Sequence, residues 1–149
     1  MGNERYFLRG DATMLRWTQD LSVGVEDIDE QHRELFDRVN KLLDALHPGN
    51  GRSEVAGVIA FLDEYIQTHF DAEEEAMERT GYEGYGAHKA QHDVFRKDFA
   101  DLKRAYEKEN AALMLAVQTQ DWLCDWLIKH ISISDRSMGA HLKSRERSP

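Results

Sequence analysis

Apolar residues at Leu35, Phe36, Val39, Leu42, Leu43 and Leu46 recur with the period of an α-helix, and the run stops at the breaker HPGNG, residues 47–51. A second stripe, Val55, Val58, Ile59, Leu62 and Ile66, continues as His69, Glu73 and Met77; Ser53 reads as its N-cap, and the glycine-rich TGYEGYG follows it. A third stripe comprises His88, His92, Phe95, Phe99, Leu102 and Tyr106, and a fourth Leu113, Ala116, Gln120, Leu123, Leu127 and His130. No segment alternates convincingly as a strand. Four helices with short connections favour antiparallel neighbours, so the expected fold is all-α: an up-down-up-down four-helix bundle. An N-terminal arm, roughly residues 14–31, carries Trp17, Leu21, Val23, Val25 and Ile28, which are expected to cover an end or side of it. Residues 1–13 read as a loose extension, 14–138 as the bundle domain and 139–149 as a frayed polar tail.

Composition narrows the function. A chain of 149 residues fits one domain with one core. The formal net charge is −9 with scattered Lys and Arg, which argues against nucleic acid and anionic membranes as partners. No apolar run approaches the roughly 20 residues of a membrane span, and the N-terminus lacks the apolar segment of a signal peptide. Cys124 is the only cysteine and cannot form an internal disulfide, so the cytoplasm is the expected compartment.

Polar residues extend each stripe where an ordinary core would stay apolar. His32 precedes Leu35 by three residues, His69 and Glu73 extend the second stripe, His88 and His92 open the third, and His130 follows Leu127 by three. All four helices thus aim imidazole or carboxylate inward, and such groups are costly to bury without partners. Any single H-x-x-x-E or H-x-x-x-H is common in helices; the set is specific. His47, beside Pro48, reads as a loop residue and His141 as an exposed tail residue. Glu74 and Glu75 read as a solvated face, Trp122 and Trp126 as packing, and Cys124 as a small core residue. In HISISD, Asp135 follows His130 by five residues, leaving the side chains roughly 140° apart on a regular helix. Asp135 therefore reaches the same site only if the helix is distorted or ends between them, for which Ser132, Ser134 and the β-branched Ile131 and Ile133 are suited.

Five histidines and two carboxylates exceed the ligands of one tetrahedral zinc, which points to two ions. Across two six-coordinate ions, five imidazoles, two bridging carboxylates and one bridging oxygen leave one vacancy for a small exogenous ligand. Mixed imidazole and carboxylate suits iron over calcium or magnesium. The Glu-x-x-His of carboxylate-rich di-iron bundles is absent. With neutral imidazoles in place of carboxylates, the centre is expected to stabilise high-valent iron poorly and to favour reversible dioxygen binding over oxygen activation.

The stretch Trp17 to His32 (WTQDLSVGVEDIDEQH), HFDAEE, HKAQH and WLIKHISISD resemble hemerythrin, specifically its single-domain bacterial members, over about residues 14–138. The resemblance implies that His88, His92 and His130 bind one iron, His32 and His69 the other, and that Glu73 and Asp135 bridge the two iron ions (Fe2+/Fe3+) beside an oxo or hydroxo group. It also implies dioxygen binding at the iron with two histidines. Leu127, one turn before His130, is expected to keep water from that pocket, with Ile28, Phe36 and Ile66 as weaker contributors. The expectation is a non-enzymatic oxygen carrier, store or buffer. The alternatives are an oxygen or redox sensor acting through a separate protein partner, and a di-iron peroxidase or oxidase fed by a reductant.

Overall fold

The computed structural model describes residues 6–9, 12–46, 52–109 and 112–146. Four rods form the bundle: α1 (Glu26–Ala45), α2 (Arg52–Arg79), α3 (Tyr85–Glu109), and a fourth that runs unbroken through α4 (Ala112–Lys129), a π-helical turn (His130–Asp135) and α5 (Arg136–Glu146). His47 and the HPGNG breaker lie outside the described residues, as do the side chains of Ser53, Leu113 and Ala116.

Cross-helix pairs give the directions. Tyr65 donates to the Gln31 carbonyl and Arg38 to that of Phe61, so α2 runs opposite to α1. Glu74 meets His92, Gln67 meets Arg96 and Asp63 meets Lys103, so α3 reverses again. Gln91 bonds His130 and Ser134 while Phe95 packs on Trp126 and Trp122, which makes the fourth rod antiparallel to α3. The bundle is the expected up-down-up-down one. Its core is the predicted set of stripes: Leu35, Val39, Leu42, Leu62, Ile66, Phe95 and Leu123 are all 1% exposed or less.

Helix α2 stops where Gly81 adopts φ 65°, letting Tyr82 N–H reach the Met77 carbonyl at 2.9 Å and Gly81 N–H that of Glu78 at 3.2 Å. This is a Schellman C-cap, and a residue with a Cβ would strain it. At the start of α1 no side chain caps the helix, but Glu26, Asp27 and Asp29 crowd the positive end of its dipole. Asp29 is buried and accepts from Val23 N–H at 2.8 Å and from the Ser22 hydroxyl, tying the preceding segment down. Leu21 and Val23 are buried there, with Trp17 and Val25 packed against the core.

Two expectations about the ends need correction. In place of a loose extension over residues 1–13, β1 (Tyr6–Arg9) and β2 (Ala12–Leu15), the latter reaching into the arm, pair antiparallel, with Tyr6 opposite Leu15 and Arg9 opposite Ala12. YFLR and ATML are short strand-compatible runs separated by Gly10-Asp11, a hairpin signal that the helical stripes overshadowed. The Asn40 side chain accepts from Leu15 N–H at 2.7 Å and donates to its carbonyl at 2.9 Å, satisfying backbone that the ladder leaves over. The supposed polar tail is largely helix α5. Met138 is fully buried and Leu142 8% exposed, four residues apart on one face, and a side chain at Gly139 would run into the Val23 carbonyl. His141 is accordingly half-buried, its Nε2 3.0 Å from the Thr80 hydroxyl.

Candidate metal centre

The four rods bring together all seven predicted ligand side chains, none more than 5% exposed. Two groups form, each with one ligand atom per residue and these atoms within 4.8 Å of one another: Glu73, His88, His92, His130 and Asp135 in one, His32, His69, Glu73 and Asp135 in the other. The two carboxylates belong to both. Glu73 Oε2 lies 3.0 Å from His69 Nε2 and 3.3 Å from His32 Nε2, while Oε1 lies 3.2 Å from His92 Nε2 and 3.4 Å from His88 Nε2. Asp135 divides likewise, Oδ2 standing 3.0 Å from His32 Nε2 and Oδ1 2.9 and 3.1 Å from those of His88 and His130. Each carboxylate turns one oxygen to each group.

Asp135 reaches the site through the π-turn. Its i→i+5 hydrogen bonding carries residues five apart to nearly the same face, which a regular α-helix would not. Ser132 donates its hydroxyl to the Ile128 carbonyl at 2.7 Å and Ser134 to Gln91 Oε1 at 2.8 Å. The distorted turn was legible from spacing; its π form was not.

Electrostatically the cluster is arranged for cations. Burial works against the charged forms of His32 and His88, but the carboxylates of Asp135 and Glu73 within 3.4 Å of each ring outweigh it and raise both to about 9. Burial would likewise raise the two carboxyls, yet the surrounding imidazoles hold both well below the usual carboxylate range. The polar bonding is nevertheless incomplete. Glu73 Oε1, both Asp135 oxygens and His88 Nε2 are buried without a hydrogen-bond partner; the imidazoles beside them are close enough to attract but misaligned to donate. His92 Nε2 and His130 Nε2 point at each other across 3.1 Å. Converging nitrogen lone pairs and orphaned carboxylate oxygens are what metal ions between them would satisfy, so the residues fit a two-metal group.

A second layer orients the rings. His69 Nδ1 lies 2.8 Å from Gln31 Oε1, His92 Nδ1 2.8 Å from Glu74 Oε2, and His130 Nδ1 2.8 Å from Gln91 Oε1. Each supporting residue adjoins a ligand in sequence and serves the ligand on the next helix: Gln31 precedes His32, Glu74 follows Glu73, Gln91 precedes His92. The offset changes sign on α2 because that helix runs the other way, so one sense of rotation round the bundle is kept. Glu74 is therefore not a solvated face residue. Its side chain is 12% exposed and also pairs with Arg96 at 2.8 Å. Sequence adjacency to a ligand was the available signal for all three. On the three-histidine side Phe70 stacks on His92 at 3.8 Å and Trp126 on His130 at 4.4 Å between ring centroids. Leu127 is 1% exposed, within the apolar core, and Ile28, Phe36 and Ile66 are buried too. Cys124 is buried, which pushes its thiol up to about 12, an unreactive core residue as expected. No helix among the described residues is long and apolar enough to cross a membrane.

Known proteins share this plan. The family described as the hemerythrin HHE cation binding domain matches residues 23–142. A bacteriohemerythrin of Methylococcus capsulatus is 35% identical over 132 residues, covering 88% of this chain and 98% of that protein. One from Stenotrophomonas maltophilia is 33% identical over 131 residues, covering 88% and 83%. A crystal structure of wild-type hemerythrin aligns with a TM-score of 0.79 at 36% identity, over 86% of this chain and 97% of that one.

Proposed function

Because the chain belongs to the hemerythrin family, we infer that it binds dioxygen reversibly at a non-haem di-iron centre and works as an oxygen carrier, store or buffer, not as an enzyme. The observation that carries this reading is the pair of ligand groups sharing Glu73 and Asp135. His88, His92 and His130 hold one iron and His32 and His69 the other. Glu73 and Asp135, each turning one oxygen to each group, would be shared between the two ions. The group with two histidines, His32 and His69, would be the one to admit the exogenous ligand. When bound, the two irons supply the electrons that dioxygen takes up and returns on release.

The chain's own residues make that exchange reversible. Gln31, Glu74 and Gln91 each accept the Nδ1 proton of a histidine, which fixes its tautomer and leaves Nε2 as the ligand atom. Leu127, buried one turn before His130, would help to keep water from the centre. The absence of a membrane-length helix among the described residues and the single buried cysteine favour the cytoplasm.

The test has two parts. Protein loaded with iron anaerobically should hold two irons per chain; one iron, or preferential retention of a single zinc, contradicts the ligand assignment. Supplied with excess reductant and oxygen or hydrogen peroxide, the loaded protein should show no sustained turnover. Sustained consumption would make it an oxidase or peroxidase.

A further inference from the structure

The two sides of the metal cluster differ in access. Towards His92 and His130 the aromatic rings of Phe70, Phe95 and Trp126 pack on one another and on the imidazoles. Towards His32 and His69 a cavity of about 400 Å³ opens between α1, α2 and α5. Its inner wall includes Glu73, Ile28 and Ala76, and its exposed rim carries Arg79, Arg145 and Asp27. Gln31, the partner of His69, also lines it. Arg145 is held there by donating to the Thr80 carbonyl from Nε at 3.2 Å and Nη2 at 3.1 Å.

Two guanidiniums against one carboxylate make this rim positive on a chain whose net charge is −9. A charged rim over a low-dielectric cleft concentrates ions of the opposite sign. We propose that this cavity is the entrance to the two-histidine metal position, and that Arg79 and Arg145 make it selective for small anions over cations. Neutral diatomic molecules pass without regard to the rim charge. The inference rests on the ligand assignment above and adds to it a route and a selectivity. Helix α5 supplies one of the two rim arginines.

The experiment measures how fast azide binds to the oxidised, iron-loaded protein, and how fast EDTA strips zinc from the zinc-loaded one. In Arg79→Gln combined with Arg145→Gln, both rates should fall by about tenfold at low ionic strength. The difference should shrink as salt approaches 1 M, where the screening length is roughly 3 Å. Dioxygen association with the ferrous form should stay within about twofold. Lys97→Glu, an equal change in net charge at an exposed site on α3, should leave the azide and EDTA rates within about twofold. Ala76→Leu, which fills the cavity, should slow azide and dioxygen alike. If the arginine variants retain two irons yet take up azide at the wild-type rate, or if Lys97→Glu slows it equally, the entrance is elsewhere. A wild type that does not hold two irons overturns the underlying ligand assignment instead.

Discussion

Glu73 and Asp135 each serve both ligand groups, whereas His69 serves one. Glu73→Gln or Asp135→Asn should therefore cost the protein both irons, and His69→Ala chiefly one, measured as iron per chain after desalting. His141→Ala should leave iron content unchanged while costing about 1 kcal/mol of stability, because its ring bonds Thr80 and not the centre. Glu74→Gln should weaken metal affinity by about 10- to 100-fold, the usual effect of losing an outer carboxylate partner, with Glu75→Gln as the silent neighbour. Leu127→Ala should lower stability by about 2–5 kcal/mol and speed decay of the oxygenated protein to the oxidised form. An unchanged decay rate would mean that Leu127 only packs.

Among the elements, the π-turn bears most directly on the site. Deleting Ile133, the exposed residue inside it, leaves His130 and Asp135 four apart and the turn free to close as regular α-helix. Far-UV circular dichroism should show helix content retained, while iron content falls because the Asp135 carboxylate no longer meets both groups. Full iron retention would show that the π geometry is dispensable. The apolar stripes made the four rods legible because burial selects the helical period over each rod's whole length. Outside that period legibility failed for separate reasons. The hairpin is only four residues a strand, too short for its alternation to stand out, and its anchor Asn40 lies on another element. Helix α5 buries two large side chains, those of Met138 and Leu142, in an otherwise polar run, and the absence of a side chain at Gly139 matters only once Val23 is against it. Gln31, Glu74 and Gln91 act across helices, so their partners emerge only when neighbouring rods are placed.

At the scale of the whole molecule, metal and protons compete for one buried cluster. In the metal-free protein His32 and His88 sit at about 9 against an ordinary 6.5. A raised folded value stabilises fully below the unfolded value and is lost as pH rises through the folded one. Glu73 and Asp135 are shifted down, so their contribution is present above the ordinary carboxylate range and is lost in acid. Metal-free protein should thus be most stable between ordinary carboxylate values and about pH 6.5, and should weaken towards pH 9 in thermal melts. Metal loading at pH 7 should release protons, seen as a buffer-dependent heat in calorimetry, and the loaded protein should lose the alkaline decline. A melting temperature of the metal-free form that rises from pH 6.5 to 9 would contradict the sign.

Reversible dioxygen binding at two irons is tested most directly by the visible spectrum of one reduced, iron-loaded sample carried through air, then oxygen removal, then air again. An absorption band should appear on exposure, vanish when oxygen is withdrawn and return undiminished, with two irons per chain throughout. A band that never forms, or a first exposure that leaves the protein permanently oxidised, would contradict it.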